Sequence, residues 1–414
     1  MQSNNEYKQN KVCVIGGGAA GMVAAGTAVQ YGAEVTLFES MPILGKKLGI
    51  TGKGRCNVTN DSEINEFLEN VPKNPRFLYT ALSNLSPRET MTFFESLGVE
   101  LKTERGRRVF PANDKAKTIV DALKSYCSGA DVIYEKVKRV NKTENGFTVT
   151  TAKGNYDFDK VIIATGGKSY PLTGSDGSGY RLAMNLGHKV TELRPSLIPL
   201  VSPDKLCPNL QGLSLKNVAI KVTDSQEKLL YSDFGEMMFT HFGVTGPMIL
   251  SASAHLIGRD FSELTLSIDL KPALDEKTLD SRLLSDFSKN SNKDFINSLY
   301  ELLPSKMIPP FVARCGIDPR KKVNTITKEE RKIILENLKS LKIKLSGVRP
   351  IEEAIITSGG IEVKEISPKT MESKLAQGLY FAGEIIDVDA YTGGFNLQIA
   401  FSTGYLAGMN SAIS

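Results

Sequence analysis

Gly16, Gly18 and Gly21 stand in the spacing GxGxxG between an apolar run, KVCVIG, and a small-residue run, GGAAGMVAAGTAVQYG. In a strand, turn and helix the first glycine permits the tight turn, the second lets a pyrophosphate approach the backbone, and the third lets the helix lie close to the sheet. The helix N-terminus then presents the amides around Ala19 and Ala20, with the positive end of its dipole, to phosphate. Glu39, followed by Ser40, closes the next apolar run, AEVTLFES, 18 residues after Gly21. A carboxylate there accepts both ribose hydroxyls of an adenosine and repels a 2′-phosphate. Together these residues predict a dinucleotide site and leave FAD and NAD open.

Three further stretches bear on that choice. GKKLGITGKGRCNVTN, residues 45–60, is rich in glycine and carries Lys46, Lys47, Lys53 and Arg55 around Gly54. A segment of that composition, placed after the ribose acid, suits a crossing of the pyrophosphate. VIIATGG, residues 161–167, reads as a buried strand that returns beside the cofactor with little side-chain bulk. LYFAGE, residues 379–384, puts Glu384 at the C-terminal end of another strand, where parallel sheets bind ligands. The following GGFNLQIAFSTG aims a helix N-terminus beyond it. That dipole would stabilise the negative charge a flavin gains on reduction.

Two residues are candidates for an acid. His241 lies in FTHFG, a titratable group among apolar neighbours near a glycine turn, and Tyr391 lies just before Gly393 and Gly394. A histidine that holds its turn, and a packed tyrosine, account for these positions without a catalytic role and are the simpler readings. Cys56 has no second cysteine nearby, which argues against dithiol chemistry and for a packed residue.

The elements that must position these groups are legible in outline. Ser86, Pro87 and Glu89 form a capping signal for a helix that Gly98 ends, and AKTIVDALKSY is amphipathic. ADVIYEKVKRV, GFTVTTAKG and YDFDKVIIATGG read as strands. From about residue 193 short β-like segments follow, broken by one helix that Pro247 opens. Residues 274–340 are charged and helix-periodic. The predicted organisation is a nucleotide-binding domain from residues 1–192 and 350–414, a β-rich insert from 193–273 and 341–349, and a helical subdomain from 274–340.

The chain has 414 residues, 41% of them hydrophobic, which allows two or three domains with substantial cores. A formal charge of +5, with basic and acidic residues interleaved and tryptophan absent, predicts no nucleic-acid partner. Five widely spaced cysteines and three histidines match no metal or disulfide pattern, so no metal is expected. The polar start, MQSNNEYKQNK, lacks a signal-peptide core and no long apolar run follows, which predicts a cytoplasmic protein without membrane insertion.

VCVIGGGAAGMVAA, GKKLGITGKGRCNVTN, EMMFTHFGVTGPMIL and AGEIIDVDAYTGGFNLQIAFSTG together resemble a family of bacterial NAD(P)/FAD-dependent oxidoreductases, the aminoacetone-oxidase-like flavoproteins, over nearly the whole chain. The family includes a gut clostridial bile-acid flavoprotein that reduces 3-oxo bile acids with Δ4 or Δ6 unsaturation. The resemblance implies an α/β fold: a Rossmann-like, two-dinucleotide-type FAD domain similar to glutathione reductase, an inserted β-barrel and a small helical domain. By position it implies that Gly16 to Gly21, Glu39 and Ser40 hold the ADP half, and that Lys46, Lys47, Gly54, Arg55, Cys56 and Asn57 line the middle. It places Val137 by the adenine, and Thr165, Gly166, Glu384, Gly394, Asn396 and Leu397 around the ribityl chain and ring.

The expected activity is reduction, driven by NADH or NADPH, of an activated C=C bond in a small apolar enone such as a 3-oxo-Δ4/6 bile acid. A flavin amine oxidase or dehydrogenase, and an RNA-associated flavoprotein, are the alternatives. Substrate, nicotinamide preference and oligomeric state are not fixed by these residues.

Overall fold

In the computed structural model, residues 9–413 are described; residues 1–8, most of the polar start, and Ser414 lie outside them. Contacts divide the described residues into two compact units, one up to Ser196 together with the chain from Ile351, the other Leu197–Pro350.

The first unit is built on a five-stranded parallel sheet. Strand β1 (Lys11–Ile15) is central, followed by helix α1 (Ala19–Gln30) and strand β2 (Glu34–Phe38). The strand order is Leu379–Phe381, Lys160–Ile163, β1, β2, Asp131–Ile133, with every pairing parallel. The inner strands read as continuous apolar runs because helices cover the sheet. Val12 to Val14 and Val161 to Ile163 are fully buried.

Helix α1 packs against the last helix, Phe395–Ile413, and the small-residue surfaces of both explain how closely. A Cβ added at Gly404 would lie 2.4 Å from Ala20 O, and one at Gly408 2.4 Å from Ala24 O. Such backbone approach admits no side chain.

The stretch 130–140 does not form the one strand expected of it. Asp131–Ile133 joins the sheet, then Tyr134–Lys138 leaves it, and Arg139–Lys142 starts an antiparallel meander with Phe147–Thr150 and Asn155–Phe158. Val137 is therefore buried in a connection between sheets. The helix Pro87–Ser96 carries the full capping box expected, Ser86 with Glu89. Arg194–Ser196 pairs with Ile356–Ser358, which keeps residues 193–196 with the first unit.

The second unit holds a seven-stranded antiparallel sheet. Its order is Leu341–Lys344, Thr265–Asp269, Ser214–Thr223, Leu229–Thr240, Gly243–Thr245, Leu200–Val201, Gly347–Val348. Pro247 opens the helix Pro247–His255 as expected. The helices Glu276–Lys289, Ile308–Cys315 and Lys328–Lys339 share one apolar core with the sheet, where Leu283, Phe311 and Ile334 meet Ile220 and Leu266. No helix among the described residues is long and apolar enough to cross a membrane.

Candidate functional site

The turn between β1 and α1 has the geometry its glycines foretell. Gly16 has φ +106°, and a Cβ on it would sit 2.6 Å from Ala164 O; one on Gly21 would sit 1.7 Å from Gly16 O. Gly18 is the N-cap of α1, with nothing within 4 Å of where its Cβ would be. No side chain caps the helix and no acid lies in its first turn. The first intrahelical bond runs from Met22 N to Gly18 O, so the amides of Ala19, Ala20 and Gly21 have no acceptor within the helix. An uncapped N-terminus with open space before it can take an anion.

Glu39 follows the end of β2 and is almost fully buried. Its Oε2 accepts from Gly17 N at 2.7 Å; its Oε1 accepts from Met41 N at 2.6 Å and from Ser40 Oγ at 3.2 Å. Three donors from two loops fix the carboxylate beside the glycine turn.

The loop 45–60 divides its cations among protein partners. Lys46 Nζ donates to Leu172 O at 2.7 Å. Lys47 Nζ donates to Ser169 Oγ at 2.8 Å and to Glu384 Oε2 at 2.7 Å. Glu384 also accepts on Oε1 from Ser169 Oγ at 3.0 Å and Thr357 N at 2.8 Å. Arg55 pairs with Glu104 at 2.5 Å and Asp114 at 2.6 Å, stacked 4.2 Å above the Phe110 ring centre. Those bonds raise the guanidinium pKa and lower both carboxyls. Gly54 is exposed, with φ +85°. Cys56 is fully buried with φ +59°, and burial pushes its thiol up to about 12. All five cysteines are free and buried.

The C-terminal strand and helix approach this loop. Gly393 and Gly394 have φ +132° and +100°, and a Cβ on Gly394 would meet Thr59 O at 2.3 Å. Asn396 closes a ring with residue 390, accepting from Ala390 N at 2.9 Å and donating to Ala390 O at 2.7 Å. Leu397 is half-buried beside it. Tyr391, also half-buried, is anchored by its N–H to Asn70 O at 3.0 Å, and burial and the charge of Asp389 raise its phenol pKa.

The structure thus brings Glu39, Lys47, Glu384 and the turns at Gly16 and Gly394 into one unit. His241 belongs to the other, in the exposed turn after Leu229–Thr240, its ring edge-on to Phe242 at 5.0 Å. Two acids escaped sequence reasoning. Asp387 is 1% exposed and bonded to Lys73 at 2.7 Å; Asp389 accepts from Ser196 Oγ at 3.1 Å and Ser358 Oγ at 3.0 Å, and burial raises its pKa. Acids alternating with apolar residues in IIDVDAY were the available signal.

This assembly defines a Rossmann-type dinucleotide-binding oxidoreductase. The HI0933-like protein Rossmann domain family matches residues 10–410, and the chain belongs to that family of FAD-dependent oxidoreductases. It is 30% identical to the 3-dehydro-bile acid delta(4,6)-reductase of Clostridium scindens, over 97% of this chain and 99% of that protein. It is 29% identical to the ribosomal RNA dihydrouridine synthases of Escherichia coli, over 95% of each chain, and of Haemophilus influenzae, over 98% and 99%. The solved structure of 3-ketosteroid-delta4-(5alpha)-dehydrogenase from Rhodococcus jostii RHA1, in complex with 4-androstene-3,17-dione, is 14% identical with a TM-score of 0.51, covering 100% of this chain and 99% of that one. That likeness is one of fold.

The residues present fit FAD. Besides the open helix terminus and the fixed Glu39, the buried Asn57 Oδ1, Thr165 Oγ1 and Ser175 Oγ have no hydrogen-bond partner within the protein. Gly166, φ +72°, keeps backbone room beside Ser175. Buried polar atoms of this kind call for a polar ligand.

Proposed function

We propose that this protein reduces a C=C bond conjugated to a carbonyl, with NADH or NADPH as electron donor, and that the bond is C5=C6 of a uridine in structured RNA. The observation that carries the proposal is near full-length similarity to a delta(4,6)-reductase and to two dihydrouridine synthases. Saturating a 3-oxo enone and saturating a uracil are the same reaction in outline. Bound FAD supplies a hydride equivalent to the carbon β to the carbonyl.

The chain's own residues supply the rest. Gly16 to Gly21, Glu39, Asn57 and Thr165 bind the cofactor, and Lys47 with Glu384 orients the loop that crosses it. Tyr391, held protonated by burial and by Asp389, delivers the proton to the carbon α to the carbonyl. Cys56 is excluded as the acid, since its side chain is fully buried and out of reach of a substrate.

A second reading, a small apolar 3-oxo-Δ4/6 enone such as a bile acid, is favoured by the clostridial relative. The RNA reading departs from the expectation of no nucleic-acid partner; what favours it, besides the two synthase relatives, is a group of cations outside any ion pair beside the glycine turn, described below. The test is anaerobic reduction by NADH and NADPH, then reoxidation by unmodified ribosomal RNA or by a steroid enone panel, with nucleoside mass spectrometry for dihydrouridine. Reoxidation by enones alone selects the second reading. Peroxide formation on amines without a nicotinamide donor overturns both in favour of an amine oxidase.

A further inference from the structure

Asn60 connects the glycine turn at Gly393 to a hairpin of the same unit. Its Nδ2 donates to Gly106 O at 3.0 Å and to Gly393 O at 3.1 Å. The hairpin runs from Leu101–Glu104 into Arg108–Pro111, with Glu104 opposite Arg108, and its tip is Arg105, Gly106 and Arg107. Gly106 and Arg107 take left-handed backbone, φ +75° and +57°, and Arg107 O accepts from Asp61 N at 2.8 Å. Backbone bonds therefore fix where the tip stands.

Most charge around the tip is spent within the protein. Arg107 pairs with Glu66; Glu104 and Asp114 are engaged by Arg55 and, for Asp114, Lys102; Arg88 faces Asp61 and Glu63. Three cations form no carboxylate ion pair among the described residues, although Arg108 stands opposite Glu104, whose carboxyl pKa its charge, after Arg55, helps to lower, and 5.9 Å from the Phe110 ring centre. Arg105 is exposed. Arg108 is half-buried, with Nε on Arg105 O at 3.1 Å. Lys53 is exposed at φ +58°, beside Gly52, where a Cβ would lie 3.8 Å from the Phe110 ring of the hairpin.

We propose that Lys53, Arg105 and Arg108 form a phosphate-gripping edge that seats an RNA strand beside the glycine turn. The assignment rests on the RNA reading above. A steroid acid carries one carboxylate and has no use for three cations on a fixed rim. A nucleic acid presents a row of phosphates, and each contact releases a counterion. Arginine suits the role because its planar fork meets phosphate oxygens in pairs.

The test measures binding of an unmodified ribosomal RNA transcript to the FAD-loaded full chain across a salt series. Arg105→Ala with Arg108→Ala is expected to weaken binding about tenfold near 0.15 M salt and to flatten the slope of log Kd against log salt by about 1.4, two phosphate contacts. Lys53→Glu adds to the loss. In the Arg105→Ala, Arg108→Ala protein, flavin absorbance, thermal midpoint and reduction by the nicotinamide donor stay as in the wild type. If the double variant disturbs folding, Arg105→Glu alone, at the exposed tip, is expected to shift affinity the same way. Wild-type affinity and slope in these variants would overturn the assignment and leave the RNA reading standing. A wild-type protein that binds no RNA even at low salt overturns both.

Discussion

Lys47 Nζ lies 2.7 Å from Glu384 Oε2, and this ion pair joins the glycine-rich basic loop to the turn after the outermost parallel strand. Both side chains are less than a quarter exposed, so solvent screens the pair only in part. Lys47→Met and Glu384→Gln are each expected to weaken FAD retention about tenfold. The double-mutant cycle should show a coupling of about 1 kcal/mol, read from thermal unfolding and flavin titration.

Glu39 holds three donors, two of them backbone amides. Glu39→Ala leaves Gly17 N and Met41 N without their acceptor in a nearly buried place. A loss of about 1–3 kcal/mol in stability is expected, with most of the bound flavin lost on gel filtration. Retained flavin absorbance in this variant would remove Glu39 from the cofactor site.

Cys56 bears on the chemistry by its inertness. With burial pushing the thiol up to about 12, the native protein should resist iodoacetamide at pH 8 at this position and react there only after unfolding. Cys56→Ser should cost about 1–3 kcal/mol of stability while leaving substrate reoxidation of the reduced enzyme intact. Abolished reoxidation with full flavin content would make it a reacting group.

Tyr391→Phe is expected to slow reoxidation by substrate by roughly 10²–10⁴-fold and to leave reduction by the nicotinamide unchanged. Because its pKa is raised, wild-type activity should hold through neutral pH and fall only above the ordinary tyrosine range. Unchanged stopped-flow traces in Tyr391→Phe would return the search for an acid to His241.

Asp389 gives a pH signature in stability. Its folded pKa is raised by burial, so the fold binds its proton more tightly than the unfolded chain does. Its contribution is fully present below the usual carboxylate value of about 3.9 and is lost as pH rises through the raised value. Asp389→Asn should match the wild-type melting point at low pH and equal or exceed it near pH 8, measured by calorimetry across that range.

Local rules made part of this protein legible. The turn at Gly16 and the capping box at Ser86 and Glu89 each follow from spacing along a few residues. The Arg55 pairing did not: its partners Glu104 and Asp114 lie 49 and 59 residues away, and nothing near Arg55 announces them. The same holds for Asp389, whose serine donors come from two separate strands. Residues 134–138 misled for another reason: apolar and β-branched residues at either end masked a backbone that changes sheets at Lys138, whose N–H bonds Thr150 O. Which cations are neutralised, and hence where charge remains for a partner, is a property of the folded neighbourhood alone.

The placement of Leu379–Phe381 beside Lys160–Ile163 bears on biosynthesis. The inner strand leaves the ribosome roughly two hundred residues ahead of its outer neighbour, a delay on the order of ten seconds or more at ordinary translation speed. Throughout that interval Val161, Ile162 and Ile163 present an unpaired apolar edge able to recruit another nascent chain. Yield in a heterologous host should therefore depend on chaperone supply and on slow, cool expression, even where the finished flavoprotein is robust.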